Sequence, residues 1–142
     1  MQTFIVKSGK ENETIKKPHF FVLNKGMNSG KPLLSPCPNC FKIEAENEKF
    51  KELLYWVSFA LWKSKVFYPY MVGSVIPFIR IGDYKQVLCE RLEVVKASPD
   101  EFIKIIDKLR FIEIKEKQLK ENLQLVQDLK RAYVHSFFHK HG

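Results

Sequence analysis

Residues 98–142 read SPDEFIKIIDKLRFIEIKEKQLKENLQLVQDLKRAYVHSFFHKHG, and this stretch carries the signals of a single long helix. Ser98 can cap its start, Pro99 suits the first helical position, and Glu101 completes a capping box. No glycine or proline follows until Gly142. We therefore predict one unbroken C-terminal helix.

Apolar residues recur along this helix with a heptad spacing. With Phe102 at position a, nine of the eleven a and d positions are apolar, which predicts a seam that packs against a partner helix. Glu116 and Lys130 are the two exceptions. A parallel, in-register pair would place each of them beside its own copy, whereas antiparallel pairing brings Glu116 within about one layer of the partner's Lys130.

We therefore predict antiparallel pairing if the helix self-associates, with Leu123 layered on the partner's Val126. The predicted oligomer interface consists of Leu119, Leu123, Val126, Tyr133, Glu116 and Lys130. Apolar residues also lie off the seam in the first half of the helix, at Ile103, Ile106, Phe111 and Ile114. We expect that half to dock on the rest of the protein and the second half to project.

The preceding residues 1–97 have the patterning of a folded α+β body. Three short β-type runs, at 3–7, 19–23 and 40–43, predict strands, and the apolar stretch from Phe50 to Trp62 predicts a core helix. Alternation from Val75 to Ile81 and the run 87–95 predict two further strands. The expected fold is a small mixed or antiparallel sheet with one core helix, in domain 1–97, followed by the amphipathic helix, in domain 98–142.

The net charge of +8 and a pI near 9.4 favour an anionic partner such as a nucleic acid. The basic residues are spread along the chain, so no segment is a dedicated basic arm. The loop at 24–32 contains glycines and lysines that can offer N–H and ammonium groups to a phosphate. The candidate nucleic-acid-binding residues are Lys25, Lys31, Lys63, Lys65 and Arg80.

Cys37 and Cys40 form a Cys-x-x-Cys motif that can hold half of a zinc site, act as a redox pair or simply stiffen a turn. A second cysteine pair is missing, and Cys89 and His19 complete a ligand set only if the fold brings them together. We expect a reduced, metal-free turn and no cofactor. The C-terminal histidines at i and i+4 are similarly interpreted as partners of the helix dipole.

No sequence motif of the common hydrolase, metalloprotease or phosphate-loop classes is present, so the sequence does not indicate an enzyme. The longest uncharged stretches fall short of the ~20 residues of a membrane helix. The first residues show neither a long apolar core nor a cleavage pattern. The sequence therefore predicts a cytoplasmic protein without a membrane partner.

The helix from Leu54 to Phe67, the Gly73-Ser74-Val75-Ile76-Pro77-Phe78-Ile79 segment and the Gly82-Asp83 turn resemble the target-recognition domain of type I restriction specificity subunits. The long helix then occupies the place of that family's spacer helices, which pair antiparallel. The resemblance implies a DNA-contacting half unit that dimerises through its helix. The whole chain also looks like an uncharacterised family of short bacterial proteins, a resemblance that implies no activity.

Two functions follow from these patterns as hypotheses. The first is a non-enzymatic DNA-binding module whose C-terminal helix joins two copies in a homodimer. The alternative is a protein-interaction or assembly factor that uses the heptad face on another protein's helix, with no nucleic-acid role.

Overall fold

The chain folds into a four-stranded antiparallel sheet, two helices beside it and a long C-terminal helix, in a computed structural model that describes residues 3–142. The elements are β1 (Phe4–Ser8), β2 (His19–Leu23), β3 (Pro32–Leu33), β4 (Cys40–Ala45), α1 (Glu48–Lys63), a 3₁₀ turn (Tyr68–Tyr70), α2 (Ile81–Ala97) and α3 (Pro99–His141). The predicted α+β fold with a long C-terminal helix is confirmed.

The sheet has the strand order β1-β4-β2-β3, and every neighbouring pair runs antiparallel. The β2–β4 register places Phe20 opposite Ile43 and Val22 opposite Phe41, so four apolar side chains share one face. All four are buried, and the Phe20 ring meets the ring of Tyr55 on α1 at 5.5 Å. This face of the sheet is therefore the one on which the body helix packs.

The opposite face of the sheet carries a buried charge. Lys42 is 4% exposed and forms ion pairs with Glu13, in the loop between β1 and β2, and with Glu44 at 3.1 Å. The hydrogen bond to Glu13 raises the pKa of Lys42 against the effect of burial. A buried ammonium group without a carboxylate partner would cost several kcal/mol of free energy, so the contact with Glu13 is maintained. This contact holds the long β1–β2 loop against the sheet.

Helix α1 starts where the Asn47 side chain accepts a hydrogen bond from the Phe50 N–H at 2.8 Å, which caps the first turn. It is joined to α2 by a buried hydrogen bond of 2.7 Å between the Ser58 and Tyr84 hydroxyls. Both residues are fully buried, and burial raises the pKa of Tyr84. This pair fixes α2 against α1 and the sheet.

Two sequence predictions for the body are wrong. Residues 87–95 lie in helix α2 and not in a strand, and 75–80 form a loop that leads into the first turn of that helix at Ile81. The reason is visible in the spacing: Tyr84, Val87, Leu88 and Leu92 are buried at intervals of three and four residues, which is the helical period. The body consequently has two helices where one was predicted, and β3 was not predicted at all.

Helix α3 is a 43-residue helix, about 65 Å long at 1.5 Å per residue. The chain divides into two compact units, one that ends at Ser98 and one that comprises Pro99–Gly142. Within the second unit the helix is unbroken, as the sequence predicts. Because the helix has no break, the spacing of its heptad positions stays constant along its whole length.

Candidate nucleic-acid interface

Segments 24–33 and 62–82 hold all five predicted nucleic-acid-binding residues and contain no aspartate or glutamate. We call the residues Lys25, Lys31, Lys63, Lys65 and Arg80 the cationic surface. Among the residues that the structure describes, none of the five forms an ion pair, whereas Lys42, Lys51 and Lys120 each contact a carboxylate. Within residues 3–142 no carboxylate therefore neutralises the charges of the cationic surface.

The fold brings Lys31 and Lys63 to the same indole ring. Their ammonium groups lie 5.3 Å and 4.7 Å from the centroid of Trp62, within cation–π range. Lys31 comes from the loop before β3 and Lys63 from the last turn of α1, so residues 32 positions apart in sequence meet. Trp62 holds two like charges close together, which raises the local positive potential.

The segments that carry Lys25 and Arg80 are joined by backbone hydrogen bonds. The Gly26 N–H donates to the Pro77 carbonyl at 2.6 Å, and the Ile79 N–H donates to the Asn24 carbonyl at 3.0 Å. Lys25 is paired with Phe78 in an isolated β-bridge. Arg80 follows directly after this short ladder and is exposed, as is Lys25.

Lys65 follows the end of α1 in a left-handed backbone conformation, with φ of 59°. The Val66 N–H donates to the Leu61 carbonyl and the Lys65 N–H to the Trp62 carbonyl, both at 3.1 Å, which is the Schellman pattern. Glycine is the usual residue at this position because a side chain costs free energy there. The Lys65 ammonium lies 5.6 Å from the ring centroid of Tyr68.

Gly30 ties the two segments together at a second place. Its φ is +97°, and a Cβ atom there would lie 2.2 Å from the Phe67 ring, so only glycine allows the loop to approach. Phe67 is buried and also packs on Tyr84, with ring centroids 5.3 Å apart. The loop that carries Lys31 is thus held against the segment that carries Lys65.

A tight loop projects from the same region and was not found from the sequence. Val72 and Phe78 exchange two backbone hydrogen bonds of 2.9 Å, which close a five-residue loop at 73–77. Val75 is 90% exposed and Ile76 is 51% exposed. The alternation in this segment predicts a strand, which the structure does not contain. The sequence signal that sets the segment apart is the absence of any aspartate or glutamate from 62 to 82.

The predicted oligomer interface lies on α3 and is exposed in the single chain. Leu119, Leu123, Val126 and Tyr133 are each at least half exposed. Glu116 accepts a salt bridge from Lys120 at 2.7 Å, one turn further along, and this contact raises the pKa of Lys120. These six residues share one helical stripe, since their spacing is three and four residues.

The Cys-x-x-Cys motif lies in the loop before β4 and at its first residue. The Cys37 thiol donates to the Asn39 carbonyl at 3.4 Å, and burial raises the pKa of the Cys40 thiol, which disfavours the thiolate that binds metals. Within residues 3–142 no group of three or more metal-ligating side chains is assembled. His135 and His139 stack with ring centroids 6.0 Å apart on one face of α3.

The model of a family of unknown function, DUF6943, matches residues 6–136 of the chain. None of the curated proteins and none of the solved structures matches. These comparisons lend no support to the resemblance to type I restriction specificity subunits. Across residues 3–142, no helix combines the length and apolar character that spanning a bilayer requires.

Proposed function

This chain belongs to the family of unknown function DUF6943, and we propose that it is a non-enzymatic DNA-binding module that self-associates through α3. The observation that supports the proposal is the meeting of Lys31 and Lys63 at the Trp62 ring, in two segments that hold all five cationic residues and contain no acidic residue. Phosphate neutralisation by lysine and arginine supplies most of the affinity in non-specific DNA binding. The proposal assigns these residues to phosphates and not to base recognition.

The aromatic contacts favour a nucleic acid over an acidic protein as the partner. Trp62 and Tyr68 hold three of the four lysine ammonium groups beside flat rings, and aromatic rings beside cations are common where nucleotides bind. Tyr68 is 42% exposed, so part of its ring is open to solvent. An acidic peptide would gain binding free energy from the positive charges but would make no use of the aromatic rings.

A salt titration with a labelled DNA duplex tests the proposal. If five phosphates are contacted, the logarithm of the binding constant should fall with the logarithm of salt concentration with a slope of about −4.5. Fluorescence anisotropy between about 50 and 200 mM salt measures this slope. Failure to bind at the low end of the range would refute the proposal.

Substitution of Lys65 separates a binding role from a structural one, because the two roles predict opposite changes. We expect Lys65→Gly to raise the free energy of unfolding by about 1 kcal/mol, since glycine relieves the left-handed backbone. The same variant should bind duplex DNA more weakly and reduce the salt slope by about 0.9. Urea unfolding and anisotropy measure the two effects.

Lys65→Ala is the matched control for this prediction. It removes the charge but keeps a Cβ atom in the left-handed conformation, so binding should weaken as in Lys65→Gly without the gain in stability. If Lys65→Gly binds DNA as the unaltered protein does, Lys65 is not a phosphate contact and its charge serves only the C-terminal end of α1.

The exposed seam of α3 favours one alternative function, an assembly factor that engages another protein's helix. Large apolar side chains from Ile112 to Phe138 remain exposed in the single chain, more than a solvated helix requires. Sedimentation velocity of the purified protein separates the possibilities. A dimer supports self-association, and a monomer that does not bind duplex DNA supports a foreign helical partner.

A further inference from the structure

The loop at 73–77 presents two aliphatic side chains at the edge of an otherwise cationic region. Val75 and Ile76 are its most exposed apolar residues, and Phe78, at the base of the loop, is 40% exposed. Two adjacent aliphatic side chains at the tip of a loop form a small apolar projection on the surface.

The loop is held in one shape by its backbone. Gly73 has a φ of +100°, and a Cβ atom at this position would lie 2.7 Å from the Ile76 carbonyl oxygen. The Val72–Phe78 pair closes its base, and the Pro77 carbonyl accepts from the Gly26 N–H. Val75 and Ile76 are consequently presented on a preorganised projection, for which little ordering entropy remains to be lost on binding.

The charges around the projection identify the chemistry of its partner. Lys25 is bridged to Phe78, and Arg80 lies two residues beyond it. An apolar tip with cations at the base of its loop fits a surface where apolar and anionic groups alternate over a few ångströms. A DNA duplex is such a surface, since stacked bases lie between two rows of phosphates, and minor-groove proteins insert apolar side chains between base steps in this way.

The size of the tip favours DNA over a lipid bilayer. Val75 and Ile76 together carry fewer side-chain carbons than one myristoyl chain, and one such chain gives only marginal membrane binding. A single base step, in contrast, accommodates one or two apolar side chains. We propose that Val75 and Ile76 insert as a wedge between adjacent base pairs and bend the duplex, an inference that rests on the proposed DNA-binding function.

Phosphate contacts and the wedge make separable contributions in this proposal. The cationic surface supplies the affinity, while the tip unstacks one step, and the extra contacts on the bent duplex compensate for that unstacking. Pyrimidine–purine steps such as TA unstack most easily. The unaltered protein should therefore bind a duplex with a central TA step more tightly than an A-tract of the same length.

The test uses a duplex of about 30 base pairs with a donor and an acceptor at its two ends. Binding of the unaltered protein should raise energy transfer, as a bend of 20–90° brings the ends closer. Val75→Ser/Ile76→Ser should bind within about threefold of the unaltered protein but leave energy transfer at the level of free DNA. It should also lose the preference for the TA duplex.

Val94→Ser is the control variant, because Val94 is an exposed valine on α2 outside the loop. It should keep both binding and bending. Circular dichroism checks that all variants are folded, which is expected since the substituted side chains are exposed. Vesicles that contain phosphatidylserine are tested in parallel by co-sedimentation.

Each outcome decides the proposal. Binding with a bend that only the tip variant loses supports the wedge. Binding without a bend overturns the wedge and leaves the proposed function intact, whereas absence of binding at low salt overturns both. Tip-dependent binding to vesicles with an unbent duplex overturns the wedge in favour of a membrane-surface role.

Discussion

Replacement of all five residues of the cationic surface by glutamine is expected to weaken duplex binding by on the order of 10³-fold at physiological salt. The reason is that each phosphate contact releases condensed counterions from the DNA, so each lost contact removes part of the binding free energy. All five contacts are made to the same polyanion. The salt slope should fall towards zero at the same time. Anisotropy titrations at several salt concentrations measure both quantities on one labelled duplex.

A charge-matched control separates this local effect from a simple loss of net charge. Glutamine at five other exposed cations removes the same charge from the +8 of the chain. The control positions are Lys85, Arg91, Lys104, Lys108 and Lys117. We expect the control variant to keep most of the affinity, because its charges lie among acidic residues of α2 and α3. Equal losses in the two variants would show that the protein binds through its overall charge and has no defined surface.

The sequence alone predicts correctly those elements whose local pattern of residues agrees with their environment in the folded chain. Strand β2 was predicted with its observed bounds, since His19–Leu23 combines β-forming residues with flanking polar segments. Helices α1 and α3 were predicted because their apolar residues recur over many turns. Fold class followed from the order of these elements.

Helix α2 shows why part of the body could not be predicted correctly. The segment 87–95 combines β-branched valines, which suggest a strand, with glutamates and an arginine, which favour a helix. Burial favours the helix in the folded chain. The hydrogen bond between Tyr84, near the start of α2, and Ser58 on α1 determines which side of α2 faces α1. That contact joins residues 26 positions apart, and no local pattern reveals it.

The five candidate residues remain a prediction, and the sequence does not show which of them the fold brings together. The five lysine and arginine positions were chosen from the glycine-containing loop and from the edges of the segment that resembles the specificity subunits. Lys31 and Lys63 meet at Trp62, and the close approach of Gly30 to Phe67 holds the loop that carries Lys31 against the segment that carries Lys65. These contacts span the loop and the end of α1, so they emerge only from the folded chain.

The second large effect is expected on α3. We expect the protein to form a dimer that Leu123→Glu weakens by at least about 100-fold, because each substituted chain then buries an unpaired carboxylate in the seam and the dimer contains two such chains. Sedimentation equilibrium measures the dissociation constant. Gln124→Glu is the matched control, as it adds the same charge one residue away, outside the seam. A dimer unaffected by Leu123→Glu would show that another surface holds it together.

The orientation of the pair is tested by charge reversal at its two polar seam positions. In the antiparallel register Glu116 lies about one layer from the partner's Lys130, so Glu116→Lys should weaken the dimer and adding Lys130→Glu should restore it. In a parallel pair, the single variant exchanges one like-charge contact for another and should change little. The salt bridge from Lys120 to Glu116 is lost in either orientation, so its small contribution cancels from the comparison.

A distance measurement tests the orientation of the two helices independently of the dimerisation free energy. With Leu123 layered on the partner's Val126, position 136 of one chain lies opposite position 113 of the other, and two copies of position 136 are about 35 Å apart along the axis. A parallel pair would place them about 10 Å apart. Spin labels on Ser136→Cys, in a background with Cys37 and Cys89 replaced by serine, should report the longer distance. The shorter distance would contradict the antiparallel register even if the dimer itself is confirmed.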